Sequence, residues 1–481
     1  MERTIRLPVW ALLLLAMLAL LFAAGTAWAV RSTLKGSDRS GLFGEAAVAV
    51  AEFPRTAADV VRALREKGTG AYEGRDLRVV LPALGEGFAP PDGADRFGLE
   101  GLLLRVGPDA PPAGWRLLSG AFTREGRALN GAVLLAPDLS VAQVWEFTED
   151  DLPVEEKELS YRKLVHGLAL LDDGSVVFAF DFGVTLQRLS ACGERLWWRE
   201  GAFHHAVTAD PEGGAVWTLL RTDSAAAAAG ALTETGVAAG DIAAAEVILQ
   251  IAAEDGRTLR RFNLREVIRA NPGIDPLEIR VLDRPPVGPG RTGANQLNFA
   301  GPWLDDPFHI NDVDPLPPDL ADAFPGFEAG DVALSLRSLN LVLVIDPETL
   351  TIRWWRMGAV QRQHDPDWQP SGRITLYNNR MMRDFSEIVS IDPQTFATET
   401  LLDGRDHDFY SRVRGKHQVL PTGGLLIASS QQARVLETDA EGRRTLEILN
   451  DAPAISGEGH VITDAAWFPP DRFAADTFAC P

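Results

Sequence analysis

A repeated unit in the middle of the chain most constrains what this sequence can fold into. Within residues 307–430, three segments each open on a histidine and continue through short apolar runs separated by turns. Two of these turns nearly match, Asp346–Thr349 and Asp392–Thr395. A unit of about four short strands that recurs at about 45 to 55 residues is typical of the blades of a β-propeller. The repeat therefore predicts an all-β fold.

The apolar runs predict the strands of each unit. In the three central units the predicted strands are Val332–Leu336, Leu341–Ile345, Ile374–Tyr377, Glu387–Ile391, Leu425–Ala428 and Arg434–Glu437. Further units begin at His166 and His205, and a sixth begins at His460, where the chain ends before the unit is complete. We expect strands near residues 118–147 to complete it and to close the ring. The count predicts a six-bladed propeller over residues 77–481.

Six of the eight histidines lie near the start of a unit, at positions 166, 205, 309, 364, 417 and 460. The first strand of a blade lines the central channel, so equivalent positions converge on the axis. His309, His364 and His417 have polar neighbours, namely Asn311, Gln363, Asp365, Lys416 and Gln418. The other three lack such neighbours, and we expect them to be structural.

Two chemistries fit three converging imidazoles. Neutral imidazoles bind transition metals, or they act as nucleophile and acid–base groups while an arginine holds an oxyanion with two parallel bonds. Arg337, Arg380 and Arg383 lie close to the histidine segments. A guanidinium is repelled by a divalent metal but stabilises a sulfate or phosphate. The arginines favour oxyanion chemistry, with no metal and no cofactor.

Four segments resemble the motifs of one family, the bacterial aryl-sulfate sulfotransferases. They are Phe308–Asn311, Gln363–Asp365, Leu376–Arg380 and Gly415–His417. Enzymes of this family are periplasmic, six-bladed propellers that use no nucleotide sulfate donor. The resemblance implies that a sulfuryl group moves from a phenolic sulfate ester to a phenolic acceptor by a ping-pong mechanism through a sulfohistidine.

The resemblance also assigns roles to residues. It makes His417 the nucleophile, His309 and His364 the supporting histidines, and Arg380 the sulfate ligand. The spacing after the Asn-rich turn differs from the family pattern, which leaves Arg383 as an alternative to Arg380. The remaining expected substrate-binding residues are Arg337, Asn311 and Asn379.

The first 30 residues predict export. Arg3 and Arg6 precede an apolar run over residues 7–30, about 24 residues long, which is enough to cross a bilayer. We interpret residues 1–30 as an anchor in the inner membrane, and a cleaved signal ending at Ala29 is the alternative. Residues 31–76 form a connector in which residues 54–67 have the apolar spacing of a short amphipathic helix. The propeller is then expected in the periplasm.

Composition excludes some functions and leaves others. The formal net charge of −21 repels phosphate backbones, so nucleic acid is not an expected partner. The two cysteines, Cys192 and Cys480, form no CxxC pair, and they are either structural thiols or one disulfide. A non-catalytic periplasmic scaffold remains the rival function, whereas a quinoprotein dehydrogenase would need eight units and adjacent cysteines. Nothing in the sequence sets the oligomeric state.

Overall fold

The computed structural model describes residues 87–153, 164–181, 184–222, 246–274, 308–381, 385–451 and 461–480, with isolated positions elsewhere. The predicted anchor (residues 1–30), the predicted amphipathic helix (54–67) and His460 lie outside these ranges. Across the described part of the chain, no helix is both long and apolar enough to span a bilayer. The strands below all belong to one compact unit, residues 76–280 and 306–481.

Six antiparallel sheets form the propeller, which confirms the predicted all-β, six-bladed fold. We number the six sheets as blades 1 to 6, and we give the strands of each blade from the innermost strand outward. Blade 2 contains β6 (Leu164–Leu170), β7 (Val176–Asp181), β8 (Thr185–Leu189) and β9 (Arg195–Glu200). Blade 3 contains β10 (Ala202–Ala209), β11 (Ala215–Arg221), β14 (Glu246–Ala252) and β15 (Thr258–Asn263). A small hairpin, β12 (Leu232–Thr233) with β13 (Gly236–Val237), lies between β11 and β14 in sequence.

Blades 4 to 6 correspond to the three central repeats. Blade 4 contains β16 (Ile310–Pro315), β17 (Val332–Leu336), β18 (Leu341–Ile345) and β19 (Ile352–Met357). Blade 5 contains β20 (His364–Trp368), β21 (Ile374–Asn378), β22 (Glu387–Ile391) and β23 (Thr398–Asp403). Blade 6 contains β24 (Lys416–Val419), β25 (Leu425–Ser429), β26 (Arg434–Thr438) and β27 (Arg444–Asn450), with β2 (Leu102–Val106) as a fifth, outermost strand.

Blade 1 joins two distant parts of the chain. Its innermost strand is β28 (Ile462–Phe468), followed by β3 (Trp115–Arg124), β4 (Arg127–Leu135) and β5 (Val141–Glu146), and β1 (Leu99–Glu100) also pairs with β3. The first strands of successive blades contact one another in chain order, and β28 contacts β6, so the ring is closed. The prediction that strands near residues 118–147 complete the sixth unit is confirmed.

Helical segments are few and short in the described ranges. Two are α-helical, α1 (Leu264–Ala270) and α2 (Gly404–His407). Four are 3-10 turns, Asp95–Phe97, Pro318–Ala323, Arg337–Leu339 and Ser430–Gln432. The turns Arg337–Leu339 and Ser430–Gln432 join the second strand to the third in blades 4 and 6. They therefore lie close to the channel end that carries the histidines.

Apolar clusters between neighbouring blades hold the ring together. In one cluster Tyr377 and Ile388 of blade 5 pack with Ile427 and Leu436 of blade 6, and all four are at most 1% exposed. Comparable clusters join blades 1 and 2, 2 and 3, 4 and 5, and 6 and 1. Because such clusters fill five of the six junctions between blades, the axial ends of the first strands are held on a rigid frame.

A β-bulge interrupts the first strand of five blades. The register shifts lie within 165–168, 204–207, 310–312, 364–367 and 462–464. A bulge adds one residue on one strand and re-aims the side chains beside it. The pairing of β24 with β25 runs from Lys416 to Val419 without a shift, so blade 6 differs from the others at this position.

A disulfide links Cys192, in the turn between β8 and β9, to Cys480 in the segment after β28. The sequence left two alternatives for these cysteines, structural thiols or one disulfide, and the structure shows the disulfide. The aromatic rings of Phe473 and Phe478 in the same segment pack on Trp115 of blade 1 at 5.4 and 5.5 Å between centroids. The C-terminal segment is therefore fixed to blades 1 and 2.

Candidate active site

Four imidazoles meet where the first strands of blades 2 to 5 converge. The ring centroid of His205 lies 4.5 Å from that of His166 and 4.7 Å from that of His309. His364 is close enough that the charges of His166 and His309 act on its pKa. The structure thus brings together His309 and His364, as the sequence predicts. His166 and His205, expected to be structural, belong to the same cluster.

Burial and mutual repulsion keep His205 and His364 uncharged. Desolvation lowers the pKa of His205 well below its usual value, and the neighbouring imidazoles lower it further. Desolvation also lowers the pKa of His364 well below its usual value, helped by the positive charge of Arg337. Both rings are therefore neutral at pH 7. A neutral imidazole retains the lone pair that a nucleophile requires.

Asn379 fixes the tautomer of His364. The Asn379 amide nitrogen donates to the carbonyl oxygens of Ser411 and Arg414, at 2.9 and 2.5 Å. Its amide oxygen therefore faces His364, where it lies 2.7 Å from Nδ1. Because an amide oxygen only accepts hydrogen bonds, Nδ1 carries the proton and Nε2 carries the lone pair. Nε2 receives only a long hydrogen bond, 3.3 Å, from the backbone of Arg414.

The cluster faces a small pocket with a cavity volume of about 10 Å³, which is room for about one water molecule. Its lining includes His166, His205, His364, Asn311, Lys416 and Asp464. The side-chain nitrogen of Asn311 donates to the carbonyl oxygen of Gln363 at 2.8 Å. Its buried oxygen has no hydrogen-bond partner among the described residues, so it can accept one from a ligand. The substrate-binding role of Asn311 stays a prediction, and this position allows it.

His417 lies in a different network from the four clustered imidazoles. Its Nδ1 is 2.8 Å from an oxygen of Asp365, and its Nε2 is 2.8 Å from the hydroxyl of Thr375. Its side chain has no exposed surface. The structure therefore brings His417 to Asp365 and Thr375 of blade 5, and its role as the nucleophile stays a prediction from the motifs.

The missing bulge explains where His417 lies. His364 pairs with Tyr377, and in blade 6 the equivalent partner, Ala428, pairs with Lys416. Lys416 therefore occupies the axial position, and it lines the pocket. Since neighbouring residues of a strand point to opposite faces, His417 turns away from the axis toward blade 5.

Lys416 anchors a group of buried carboxylates beneath the histidines. Its ammonium lies 2.7 Å from Asp312 and 2.7 Å from Asp365. Burial raises the pKa of Asp314 and Asp367 well above the usual value. Burial alone would also raise the pKa of Asp365, but Lys416 and His417 hold it below the usual value.

Three donor atoms of Asp365, Asp367 and His417 lie within 4.8 Å of one another, a spacing that suits a metal. Two observations argue against one. Both nitrogens of His417 are already hydrogen-bonded, and the ammonium of Lys416 supplies the positive charge to Asp365. The residues therefore do not fit a metal centre.

The arginines divide between two places. Arg337 begins the 3-10 turn after β17, its backbone nitrogen donates to the carbonyl oxygen of His309 at 3.0 Å, and its charge acts on His364. Arg380 instead pairs with Glu387 at 2.5 Å and lies over the ring of Phe385 at 4.4 Å. Arg383 is exposed. The structure thus brings Arg337 to the histidine cluster, whereas the expected sulfate ligand Arg380 already has a carboxylate partner.

Comparison with protein families supplies the deciding observation. Residues 167–451, well over half of the chain, match the family model described as arylsulfotransferase (ASST). The chain belongs to the arylsulfotransferase family. The match runs from β6 through blade 6 and contains His205, His309, His364 and Arg337. The resemblance noted from the sequence motifs is confirmed, and a sulfotransferase activity is expected at the level of the family.

Solved structures add little to this assignment of the chain to the arylsulfotransferase family. A protein of unknown function from Bacteroides caccae has a TM-score of 0.41 at 11% identity, covering 70% of this chain and 94% of that chain. TolB from Acinetobacter baumannii has a TM-score of 0.39 at 12% identity, covering 74% and 67%. Virginiamycin B lyase from Staphylococcus aureus has a TM-score of 0.31 at 11% identity, covering 59% and 69%. Scores this low carry no argument. No curated protein matches the sequence.

Proposed function

We propose that this arylsulfotransferase-family protein moves a sulfuryl group from a phenolic sulfate ester to a phenolic acceptor by a ping-pong mechanism. The covalent intermediate is a sulfohistidine on His364, in place of the His417 that the sequence motifs indicate. The observation that carries this assignment is the fixed tautomer of His364. Asn379 holds the proton on Nδ1, so the lone pair of Nε2 is available for attack on sulfur.

The electrostatics around His364 support the same assignment. Sulfuryl transfer, like phosphoryl transfer, is expected to pass through a loose transition state with negative charge on the equatorial oxygens. Arg337 supplies positive charge beside His364, and it also keeps the imidazole neutral by lowering its pKa. A neutral nucleophile approaches an anionic sulfate ester without charge repulsion. In our proposal Arg337 takes the sulfate-binding role that the motifs give to Arg380.

We also propose that the protein works in the periplasm, held to the inner membrane by residues 1–30. The disulfide between Cys192 and Cys480 supports export, because such bonds persist in oxidising compartments and are rare in the cytosol. Fractionation of cells that express the full chain tests the anchor. Recovery of the protein in the soluble periplasmic fraction after mild lysis would favour the cleaved signal.

The test of the nucleophile is intact-protein mass after exposure to 4-nitrophenyl sulfate without acceptor, quenched at neutral pH. Wild type should gain the mass of one sulfuryl group and release one equivalent of nitrophenol in a burst. His364→Ala should show neither. His417→Gln, which can keep hydrogen bonds to Asp365 and Thr375, is the matched control and should still form the adduct.

The opposite pattern would return the role to His417. If the adduct forms in His364→Ala but not in folded His417→Gln, our assignment of the nucleophile is wrong while the family activity stands. If wild type gives neither adduct nor phenol with several aryl sulfates, the covalent mechanism fails, and the non-catalytic scaffold becomes the better account of the protein.

A further inference from the structure

A proton source is a part of the reaction that His205 and His364 do not provide. A phenolate leaves readily only if it is protonated as the sulfur–oxygen bond breaks, and the acceptor phenol must later lose its proton. Because the pKa values of His205 and His364 are lowered well below the usual range, both rings are neutral at pH 7 and are very weak acids. Another ionisable group that lines the pocket is a better source of the proton.

Most other ionisable groups at the pocket are already engaged. Lys416 and Asp312 form an ion pair at 2.7 Å, and Lys416 makes a second one at 2.7 Å with Asp365. Their mutual attraction holds the lysine protonated, and its pKa is raised well above the usual value. Releasing a proton from Lys416 would leave two buried carboxylates without a counter-charge. This triad therefore provides charge balance, and it is poorly suited to exchanging protons.

Asp464 differs from these groups. It lies on β28, directly after the bulge in the innermost strand of blade 1, and it lines the same pocket as His364. Its carboxylate is half-buried and accepts a hydrogen bond from the backbone of Ala465. No hydrogen bond joins it to a side chain within the described part of the chain, so its carboxylate is available to a ligand in the pocket.

We propose that Asp464 is the general acid and base of the transfer reaction. This inference rests on the proposed function. In the first half-reaction Nε2 of His364 forms a bond to sulfur, the bond from sulfur to the phenolic oxygen breaks, and the Asp464 proton passes to that oxygen. In the second half-reaction the ionised Asp464 takes the proton of the acceptor phenol as its oxygen bonds to sulfur, and the nitrogen–sulfur bond breaks.

The charges that face Asp464 suit this double role. Burial raises the pKa of Asp464 to about 6, Lys416 of blade 6 lowers it, and Asp365 and Asp312 of blades 5 and 4 raise it. His166 and His205 of blades 2 and 3 face the same pocket. A carboxyl group that titrates close to neutral pH can both give and take a proton within one catalytic cycle.

The experiment compares two sulfate donors whose leaving groups differ. 4-Nitrophenyl sulfate releases a stabilised anion that needs little protonation. Phenyl sulfate releases a phenol of pKa about 10, like that of tyrosine, and needs an acid. Asp464→Asn should lower kcat/KM for phenyl sulfate by about 10²- to 10⁴-fold. It should lower kcat/KM for 4-nitrophenyl sulfate by less than about tenfold.

Asp314→Asn is the matched control. Asp314 is also half-buried beside the channel, and burial raises its pKa too, but it does not line the pocket. We expect its variant to treat both donors alike. An equal loss on both donors in Asp464→Asn overturns the proposal, and so does a leaving-group effect of the same size in Asp314→Asn.

A measurement on wild type covers the case in which Asp464→Asn does not fold. With phenyl sulfate as donor, kcat/KM should fall as pH rises above about 6, because the acid form of Asp464 is lost. With 4-nitrophenyl sulfate the same profile should be nearly flat. A phenyl sulfate profile that rises with pH through this range overturns the proposal. Inactivity of wild type with both donors instead contradicts the proposed function itself.

Discussion

Removal of the Cys192–Cys480 disulfide should destabilise the protein without changing its active site. The bond closes a loop with a sequence separation of 288 residues. In the chain-entropy model a loop of that length restricts the unfolded chain by about 19 cal/mol/K, or about 5.7 kcal/mol at 25 °C. Measured effects of native disulfides usually reach about 2–5 kcal/mol. We therefore expect Cys480→Ser to lose about 3–5 kcal/mol.

The native state should change little when the bond is removed. Phe473 and Phe478 still pack on Trp115, and β28 still pairs with β3. Consequently the loss arises mainly in the unfolded ensemble, and kcat with 4-nitrophenyl sulfate should stay within about twofold of wild type. Guanidinium unfolding, followed by tryptophan fluorescence, gives the change in the free energy of unfolding.

Cys192→Ser and the double variant provide the controls. Each single variant already breaks the bond, so all three should lose the same stability, and the losses of the single variants should not add. A loss below about 1 kcal/mol in Cys480→Ser would refute the loop argument. Two free thiols titrated in denatured, unreduced wild type would show that the bond does not form at all.

Three further predictions concern charge. Arg116→Met leaves the fully buried Glu437 without the two hydrogen bonds, of 2.5 and 2.9 Å, that it receives from Arg116. Thermal unfolding should show that the free energy of unfolding falls by about 3–5 kcal/mol. A fall below about 1 kcal/mol contradicts this prediction. Because the pKa of His205 is lowered in the folded state, unfolding takes up a proton below pH 6.5. The free energy of unfolding of wild type relative to His205→Gln should therefore fall by about 1.4 kcal/mol per pH unit as the pH decreases below 6.5. Denaturant titrations from pH 5 to 8 test this, and a constant difference between the two proteins contradicts it. Arg337→Lys should reduce kcat/KM with 4-nitrophenyl sulfate at least about tenfold, since an ammonium cannot make two parallel bonds to a sulfate, and an unchanged value would exclude Arg337 from the sulfate site.

The strands could be predicted from the sequence because the patterns that indicate them are local. Val332–Leu336, Leu341–Ile345 and Glu387–Ile391 are predicted to the residue. Each is an apolar run bounded by turn or polar residues, and each packs on both faces against neighbouring blades, so the run is continuous rather than alternating. The closure of the ring by blade 1 also follows from counting units.

The site could be predicted only in part from the sequence, because the register of the strands that carry it depends on β-bulges. A bulge adds one residue to a strand, and nothing in the local composition of β20 and β24 shows that only the former has one. That single residue decides that His364 faces the axis and His417 does not. His166 and His205 were missed for a related reason, since their contacts come from other blades and not from neighbours in sequence.

The construction of blade 1 also determines when, during synthesis of the chain, the active site can form. Ser119 of β3 and the pocket residue Thr463 are hydrogen-bonded across 344 residues. At about 5–20 residues per second, a ribosome needs roughly 17 to 70 s to make the intervening chain. Blades 2 to 5 and the four inner strands of blade 6 pair strands that are close in sequence and can form early, whereas β3 waits throughout with an open edge that invites aggregation. The pocket, with Asp464 in it, is thus assembled last, and the edge of β3 stays unpaired until β28 arrives.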